Sequence, residues 1–261
     1  MMQAPDDTLS FGAPMPAGSS ALARLQQQGF CVLGAADLAA MAGYDLASCA
    51  PALGLWNDLP PDDYLKDGGH YRFRRHGSFI QTRQPAAGQA ELQTAPHRAH
   101  WQPTSYNALH GGMLRWFAPL TDELQRAPFW QPLLLGLGRL FAQVRPAPQW
   151  FIEAHQFRID TREGVGRPTP EGAHRDGVDF VAVVLISRHD IRGGETRVFE
   201  LAGQRGVRFT LARPARRRNQ RRLARYPGAD LSRGGLPRSA DLSLGLQKKC
   251  DMSPLSDGRL L

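Results

Sequence analysis

Residues 168–196 read PTPEGAHRDGVDFVAVVLISRHDIRGGET, and this stretch decides how the rest of the chain is interpreted. A Pro/Gly-rich loop comes first, the almost continuously apolar segment 180–186 follows, and a glycine pair closes the stretch. An apolar run of this length between turn signals is typical of a buried strand. We therefore expect a strand here, a turn at RHDIRGG and a further strand in ETRVFELAG (195–203).

The segment before that loop has a period of two. In WFIEAHQFRID (150–160), Glu153, His155 and Phe157 fall on one face of a predicted strand, and Gln156 and Arg158 fall on the other. The segment 206–211 resembles the start of one more strand. These strands with tight glycine turns indicate a sandwich or a barrel.

The upstream part of the chain carries mainly helix signals. GGHYRFRRHGSFIQT (68–82) is the exception, and we expect it to form a hairpin that turns at 76–78. Helices followed by short strands indicate the α+β class. The other predicted elements are helices at 21–28 (N-cap signal Ser19-Ser20, C-cap Gly29), 35–41 and 132–144, a turn capped by Thr121, and a short strand at 30–33.

The triplet His174-Arg175-Asp176 is the sharpest chemical signal. On a strand, positions i and i+2 point the same way, so the imidazole and the carboxylate would converge on one spot. Two histidines and one carboxylate are the ligands with which many proteins hold Fe(II) on one face and leave the other face open. An H-x-D triplet also arises by chance, and its structural alternative is a surface turn capped by Asp176.

Residues 168–196 resemble the bacterial iron/2-oxoglutarate dioxygenases that hydroxylate free amino acids, such as isoleucine hydroxylase. EAHQFRI (153–159) and WQPTSYNALHGGMLRWFAPL (101–120) also match, so the resemblance covers about residues 25–211. It implies a double-stranded β-helix (jelly-roll) core with the N-terminal helices packed on it. It also implies an Fe(II) centre, 2-oxoglutarate as co-substrate, and His174 and Asp176 as metal ligands.

The chain departs from this family after residue 206. The family pattern requires a distal histidine and a late arginine that pairs with 2-oxoglutarate, whereas the last histidine here is His189. We expect His155 to be a better surrogate ligand than His189, because His189 falls at a predicted turn. The interpretation that we favour for His155 is nevertheless a hydrogen-bonded histidine inside the barrel. Without a third ligand, we expect an impaired enzyme with a core that lacks its last strands.

The composition changes at the same place. Residues 214–261 hold nine Arg and two Lys against four Asp, and they contain no Val, Ile, Phe or Trp. A GC-rich gene translated out of frame gives such a composition, and a real divergent tail is the alternative. We divide the chain into a flexible N-terminus (1–18), a dioxygenase-like domain (19–213) and a basic, disordered or out-of-frame tail (214–261). The β-helix core is placed at about 150–213 together with strands from 70–83.

Several further residues are candidates for contact with substrate or co-substrate. Gln156 and Arg158 could line the pocket or face solvent, and Arg197 could contact a ligand or remain a surface charge. Arg115 could anchor an amino-acid carboxylate or pair structurally. Less specific candidates are Tyr106, Asn107 and Glu171.

The composition excludes several classes of protein. Of the 261 residues, 42% are hydrophobic, and the three cysteines (Cys31, Cys49 and Cys250) form no CxxC pair, so neither a disulfide scaffold nor a cysteine-based zinc site is expected. No apolar run approaches a membrane span and no signal peptide is visible, so a soluble cytoplasmic protein is expected. We expect a small-molecule substrate. The competing functions are a non-catalytic jelly roll and, less favoured, nucleic-acid binding through the arginine-rich tail.

Overall fold

The computed structural model describes residues 16, 18–83, 90–105, 109, 111–162, 164–167, 174, 176–189, 191, 193–200, 205–211 and, for the backbone, 238–248. The helices are α1 (Ala21–Gln28), α2 (Ala35–Ala42), α3 (Asp122–Gln125) and α4 (Trp130–Val144), with a 3₁₀ segment at Leu46–Trp56. The strands are β1 (Arg72–Arg83), β2 (Ala90–Thr94), β3 (Gln149–Asp160), β4 (Phe180–His189), β5 (Glu195–Phe199), β6 (Gly206–Thr210) and β7 (Arg238–Lys248).

The strands form two antiparallel sheets in the described part of the chain. Five of them lie in the order β2-β1-β3-β7-β4, and β5 pairs with β6 in a separate two-stranded sheet. In the centre of the large sheet, β1 and β3 pair over eleven residues, with His76 directly opposite His155. This is a mixed helix and strand fold, as predicted, and the jelly-roll closure stays a prediction.

A helical layer covers one face of the large sheet. The apolar side chains of α4, among them Leu133, Leu134 and Phe141, pack in one buried cluster with Trp150 and Ile152 of β3. The opposite face of β3 carries Glu153, His155 and Phe157, because side chains alternate across a strand. The hydrophobic core therefore lies between the sheet and the helices, and the other face of β1 and β3 is left for polar groups.

Close packing joins α2 to α4. A Cβ atom added at Gly136 would lie 2.5 Å from Cα of Ala42, so only glycine allows the two helix backbones to approach this closely. Burying apolar side chains at such a contact contributes about 25 cal/mol per Å² of area removed from water.

The helix ends follow the predicted signals. The Ser20 side chain accepts a hydrogen bond from the backbone N–H of Ala23, and Gly29 ends α1 with φ of 75°. Thr121 likewise accepts from the N–H of Leu124 at the start of α3. These capping residues satisfy backbone groups that a helix terminus leaves without partners.

Two local predictions were wrong. β1 runs without a turn through residues 76–78, and residues 30–33 form no strand. The glycine that suggested a turn serves close packing instead, since a Cβ at Gly77 would lie 2.8 Å from the Leu120 side chain. Glycine inside a strand often marks such an approach.

The basic tail supplies β7, where the sequence predicted no strand-forming segment. β7 lies between β3 and β4, and its backbone pairs with both. The missed signal is the alternation of leucine with other residues at 242, 244 and 246, which has the period of a strand.

No single helix in the described residues is long and apolar enough to cross a membrane. One pair, α2 with the 3₁₀ segment, meets the length and composition test together but is bent by 109°.

Candidate metal centre

The residues of the predicted H-x-D motif come together just before β4. His174 Nε2 lies 3.1 Å from Asp176 Oδ1, and the two side chains are 18% and 38% exposed. Both residues lie in a loop rather than on the strand that the i, i+2 argument assumed. The convergence that this argument predicted is nevertheless present.

A hydrogen-bonded chain holds Asp176 from the other side. Gln102 Nε2 donates to Asp176 Oδ1 over 3.3 Å, and Arg115 Nη2 donates to Gln102 Oε1 over 2.9 Å. The backbones of His100 and Arg115 pair with each other, and this pairing holds Arg115 close to Gln102. The hydrogen bond with His174, helped by Gln102, lowers the pKa of Asp176, so the carboxylate is ionised and ready to accept a cation.

A second group of polar side chains lies on the face of β1 and β3 that the helices leave uncovered. Its potential ligand atoms, one from each of four residues, all lie within 4.8 Å of one another. The members of this histidine cluster are His76, His100, Glu153 and His155.

Glu153 is the anionic member of the histidine cluster. Its Oε2 lies 2.9 Å from His100 Nδ1, and its Oε1 lies 3.4 Å from an Arg98 guanidinium nitrogen. Burial opposes ionisation, but the hydrogen bond and the charges nearby outweigh it and lower the pKa of Glu153 to about 2. The cluster therefore contains one carboxylate that is charged at neutral pH.

Arg74 fixes the orientation of His155. Arg74 Nη2 lies 2.6 Å from His155 Nδ1, and Arg74 also faces Asp62 at 3.5 Å and the Phe117 ring at 3.7 Å. A guanidinium can only donate, so His155 accepts at Nδ1, and in the neutral imidazole Nε2 carries the proton. Burial, followed by the Arg74 charge, lowers the pKa of His155 well below its usual value, so the ring is neutral.

The His76 ring is buried and stacks on the His155 ring, with the two ring centroids 4.6 Å apart. It is 1% exposed, and among the described residues neither ring nitrogen has a hydrogen-bond partner. Burial lowers the pKa of His76 to about 3, since Glu153 compensates this effect only in part.

The remaining predicted site residues lie in different places. Gln156 and Arg158 are buried on the helix-facing side of β3, where both donate to backbone carbonyls, that of Leu55 and that of Trp56 respectively. Arg197 is exposed on β5 and pairs with Glu195. His189 is the last residue of β4. Tyr106, Asn107 and Glu171 lie outside the described residues.

Sequence reasoning did not single out His76 or His100. His76 falls inside the segment interpreted as a turn, and His100 has no neighbouring ligand in the sequence. The available signal was in the predicted strand β3, where Glu153 and His155 fall on the same face.

A cavity of about 510 Å³ lies beside the ends of β1 and β3, away from both groups. Its lining includes Tyr71, Asp160 and Arg162, and it shares no residue with the H-x-D motif or the histidine cluster.

A comparison of the sequence with protein families identifies the class of enzyme to which the chain belongs. The 2OG-Fe dioxygenase family matches residues 54–223, which is more than half of the chain. The chain belongs to the 2OG-Fe dioxygenase family. It is a 2-oxoglutarate-dependent dioxygenase, with Fe(II) as cofactor and 2-oxoglutarate as co-substrate.

Solved structures share the fold of this chain. A bsmA homolog from Methylobium petroleophilum PM1 is 46% identical, with 93% of this chain and 97% of that chain covered and a TM-score of 0.76. IDO from Bacillus thuringiensis is 13% identical (88% and 98% covered, TM-score 0.59), and the Fe(II)/α-ketoglutarate-dependent dioxygenase TqaL is 18% identical (84% and 83% covered, TM-score 0.50). The last two likenesses concern the fold alone. No curated protein matches the chain.

The residues present fit an iron ion. Neighbouring ligand atoms around a metal with bonds of about 2.1 Å lie roughly 3 Å apart. The 3.1 Å between His174 Nε2 and Asp176 Oδ1 meets this requirement. Imidazole and carboxylate are also the donors of non-haem Fe(II) sites.

Proposed function

We propose that this chain hydroxylates a free aliphatic L-amino acid in an Fe(II)- and 2-oxoglutarate-dependent reaction, with His174 and Asp176 as iron ligands inside a jelly-roll core. The observation that carries the proposal is the approach of His174 Nε2 to Asp176 Oδ1 at 3.1 Å. The hydrogen bond from Gln102 supports it, because ligating carboxylates are commonly oriented by a partner of this kind.

The charges around this pair support an amino acid as substrate. Arg115 is buried, with 3% exposure, and it is two hydrogen bonds from Asp176 through Gln102. A guanidinium is suited to binding a carboxylate through two parallel hydrogen bonds. An α-carboxylate held there would lie beside the proposed iron ligands.

The protein's residues bind and orient in this reaction. Bound iron, with 2-oxoglutarate and O₂, supplies the oxidising power for C–H hydroxylation, and succinate and CO₂ are the co-products. His174 and Asp176 hold the ion on one side, Gln102 keeps Asp176 Oδ1 turned toward His174, and Arg115 keeps the Gln102 amide in that orientation. Phe117, which is 4% exposed, helps to exclude water from this region.

We further propose that activity is weak in the chain as written. Two protein ligands hold iron less tightly than three, and no histidine follows His189. His155, the surrogate considered first, accepts a hydrogen bond from Arg74 at one ring nitrogen and carries a proton at the other. Resequencing the gene across codons 205–230 tests whether another reading frame restores a histidine and a late arginine.

The test of function is product formation. The purified chain, with Fe(II), ascorbate, 2-oxoglutarate and a panel of aliphatic amino acids, is expected to form succinate and a product heavier by one oxygen atom. The variant H174A is expected to lose both products. The matched control H70A removes an exposed histidine outside the site and should retain them.

Equal product formation by H174A and the unmodified chain would contradict the assignment of the ligand. Absence of any product with every amino acid, from a chain that is folded and loaded with iron, would favour the non-catalytic jelly roll. A duplex DNA shift that weakens steeply with salt would instead support binding through the basic tail.

A further inference from the structure

The histidine cluster is separate from the iron ligands assigned above, and it contains an unexplained buried group. His76 is 1% exposed, and neither of its ring nitrogens has a hydrogen-bond partner among the described residues. A buried polar atom left without a partner costs about 1–3 kcal/mol. One potential ligand atom of His76 nevertheless lies within 4.8 Å of the ligand atoms of the other three members of the cluster.

The contacts of the cluster distinguish ligands from supports. His155 accepts from Arg74 at Nδ1, so its Nε2 carries a proton and has no lone pair for a metal. His76 has both nitrogens available, and His100 shares a proton with Glu153 across 2.9 Å. A cation that replaces this shared proton would be bound by His76, His100 and Glu153.

The distances suit a small ion. His100 Nδ1 and Glu153 Oε2 lie 2.9 Å apart, and His76 Nε2 and Glu153 Oε1 lie 3.8 Å apart. Ligands on a metal with bonds of about 2.1 Å lie roughly 3 Å apart when adjacent and roughly 4.2 Å apart when opposite. The three side chains therefore require only small adjustments to coordinate one ion.

The ligand types limit which ion can bind. Two imidazoles and one carboxylate favour divalent first-row transition metals over Mg²⁺ and Ca²⁺, which prefer all-oxygen sites. Arg74 adds a positive charge nearby, and buried Asp62 faces it at 3.5 Å and offsets that charge. We therefore expect the histidine cluster to bind a divalent transition-metal ion with moderate affinity.

We propose that His76, His100 and Glu153 form a second site for a divalent transition-metal ion, independent of His174 and Asp176, with His155 as its hydrogen-bonded support. The proposal does not depend on the hydroxylase assignment, since it concerns a different set of side chains.

Metal stoichiometry in a variant without the first site tests the proposal. The full chain carrying H174A and D176A is dialysed against Co²⁺ or Zn²⁺, and bound metal is measured by mass spectrometry. One equivalent per chain is expected to remain, and adding H76Q should lower the affinity at least tenfold. The matched control H70Q replaces an exposed histidine outside the cluster in the same way and should keep the ion.

A second measurement avoids mutation of the core. X-ray absorption of Zn²⁺ bound to the H174A/D176A chain should show two imidazole nitrogens and a carboxylate oxygen. The proposal is overturned if this chain binds no metal, if the ion is surrounded by water oxygens only, or if H70Q abolishes binding as H76Q does. Circular dichroism of each variant confirms that it is folded. A failure here leaves product formation by the unmodified chain unaffected, so it is distinguishable from failure of the hydroxylase assignment.

Discussion

Gln102 donates a hydrogen bond to Asp176 across 74 residues of sequence, and the 3.3 Å contact connects the loop before β4 with the segment that pairs with Arg115. Because Arg115 donates to the amide oxygen of Gln102, the amide nitrogen must face Asp176. The orientation of one proposed iron ligand is thus set by a residue that does not touch the metal.

Replacement of Gln102 should weaken iron binding without unfolding the protein. In Q102L, Asp176 loses the hydrogen bond that Gln102 donates to it, and changes of this kind typically reduce metal affinity about 10–100-fold. The measurement is the Fe(II) concentration that gives half-maximal succinate formation. The control Q93L alters an exposed glutamine on β2 and should leave this concentration unchanged, whereas equal values for Q102L and the unmodified chain would show that Gln102 has no orienting role.

Removal of the Asp62 charge should be strongly destabilising. Asp62 Oδ2 lies 2.7 Å from Arg72 Nε and 3.5 Å from Arg74, and all three side chains are at most 5% exposed. Leaving buried charges unpaired costs about 3–5 kcal/mol, so D62N should lower the free energy of unfolding in urea by that amount. The control D122N breaks the exposed pair with Arg126 and should cost less than about 1 kcal/mol.

Substitution of Gly136 should separate α2 from α4. The added methyl group of G136A would contact the Ala42 backbone, and overpacking of this kind costs about 1–3 kcal/mol. The gain in helix propensity, at most about 1 kcal/mol, offsets only part of this cost. Thermal unfolding should show a lower Tm for G136A, while G54A, made where no atom lies within 4 Å of the new Cβ, should remain within about 0.5 kcal/mol of the unmodified chain. An unchanged Tm for G136A would contradict the tight crossing.

The metal-free protein should lose stability as the pH falls from about 6.5 toward 3. Burial lowers the pKa of His76 to about 3, so below its ordinary pKa the unfolded chain binds a proton that the native chain does not. Glu153, with its pKa lowered to about 2, acts in the same direction below pH 4.5. Arg74, Arg98 and His100 face these groups and also disfavour protonation of His76.

Urea unfolding in the presence of a chelator, at several pH values, measures this effect. Each such histidine contributes a slope of at most about 1.4 kcal/mol per pH unit. H76Q should reduce the slope, whereas I152V, on the opposite face of β3, should lower stability equally at every pH. A stability that is constant between pH 7 and 4 would show that the histidines are not held neutral.

Local patterns in the sequence were sufficient for most elements of the fold. The alternation in 150–160 identified β3, and the caps at Ser20 and Thr121 located two helix starts, because these signals depend on neighbouring residues. Gly77 was misinterpreted, since its role is to admit the Leu120 side chain from 43 positions away. Long-range packing of this kind leaves no periodic trace in the sequence.

For the candidate metal residues, too, local signals were visible in the sequence and long-range contacts were not. The spacing of His174 and Asp176 is local and was visible in the sequence. His76 and His155 become neighbours only through the register of β1 and β3, and His100 joins them from a third segment that pairs with Arg115. Neither pairing can be deduced from one sequence without knowledge of the sheet.

The segment that follows Arg115 runs beside β1 at the histidine cluster, because the backbone of His76 hydrogen-bonds to Ala118 and Leu120, and its Phe117 ring lies 6.4 Å from the His100 ring. Glu153 is 21% exposed, but the three histidines are less than a tenth exposed, so a hydrated ion would reach the histidines only when this segment opens. The rates at which metal enters and leaves would then be governed by the frequency of that opening rather than by diffusion. Loading and chelation experiments on this protein accordingly require long incubation before their end points represent equilibrium.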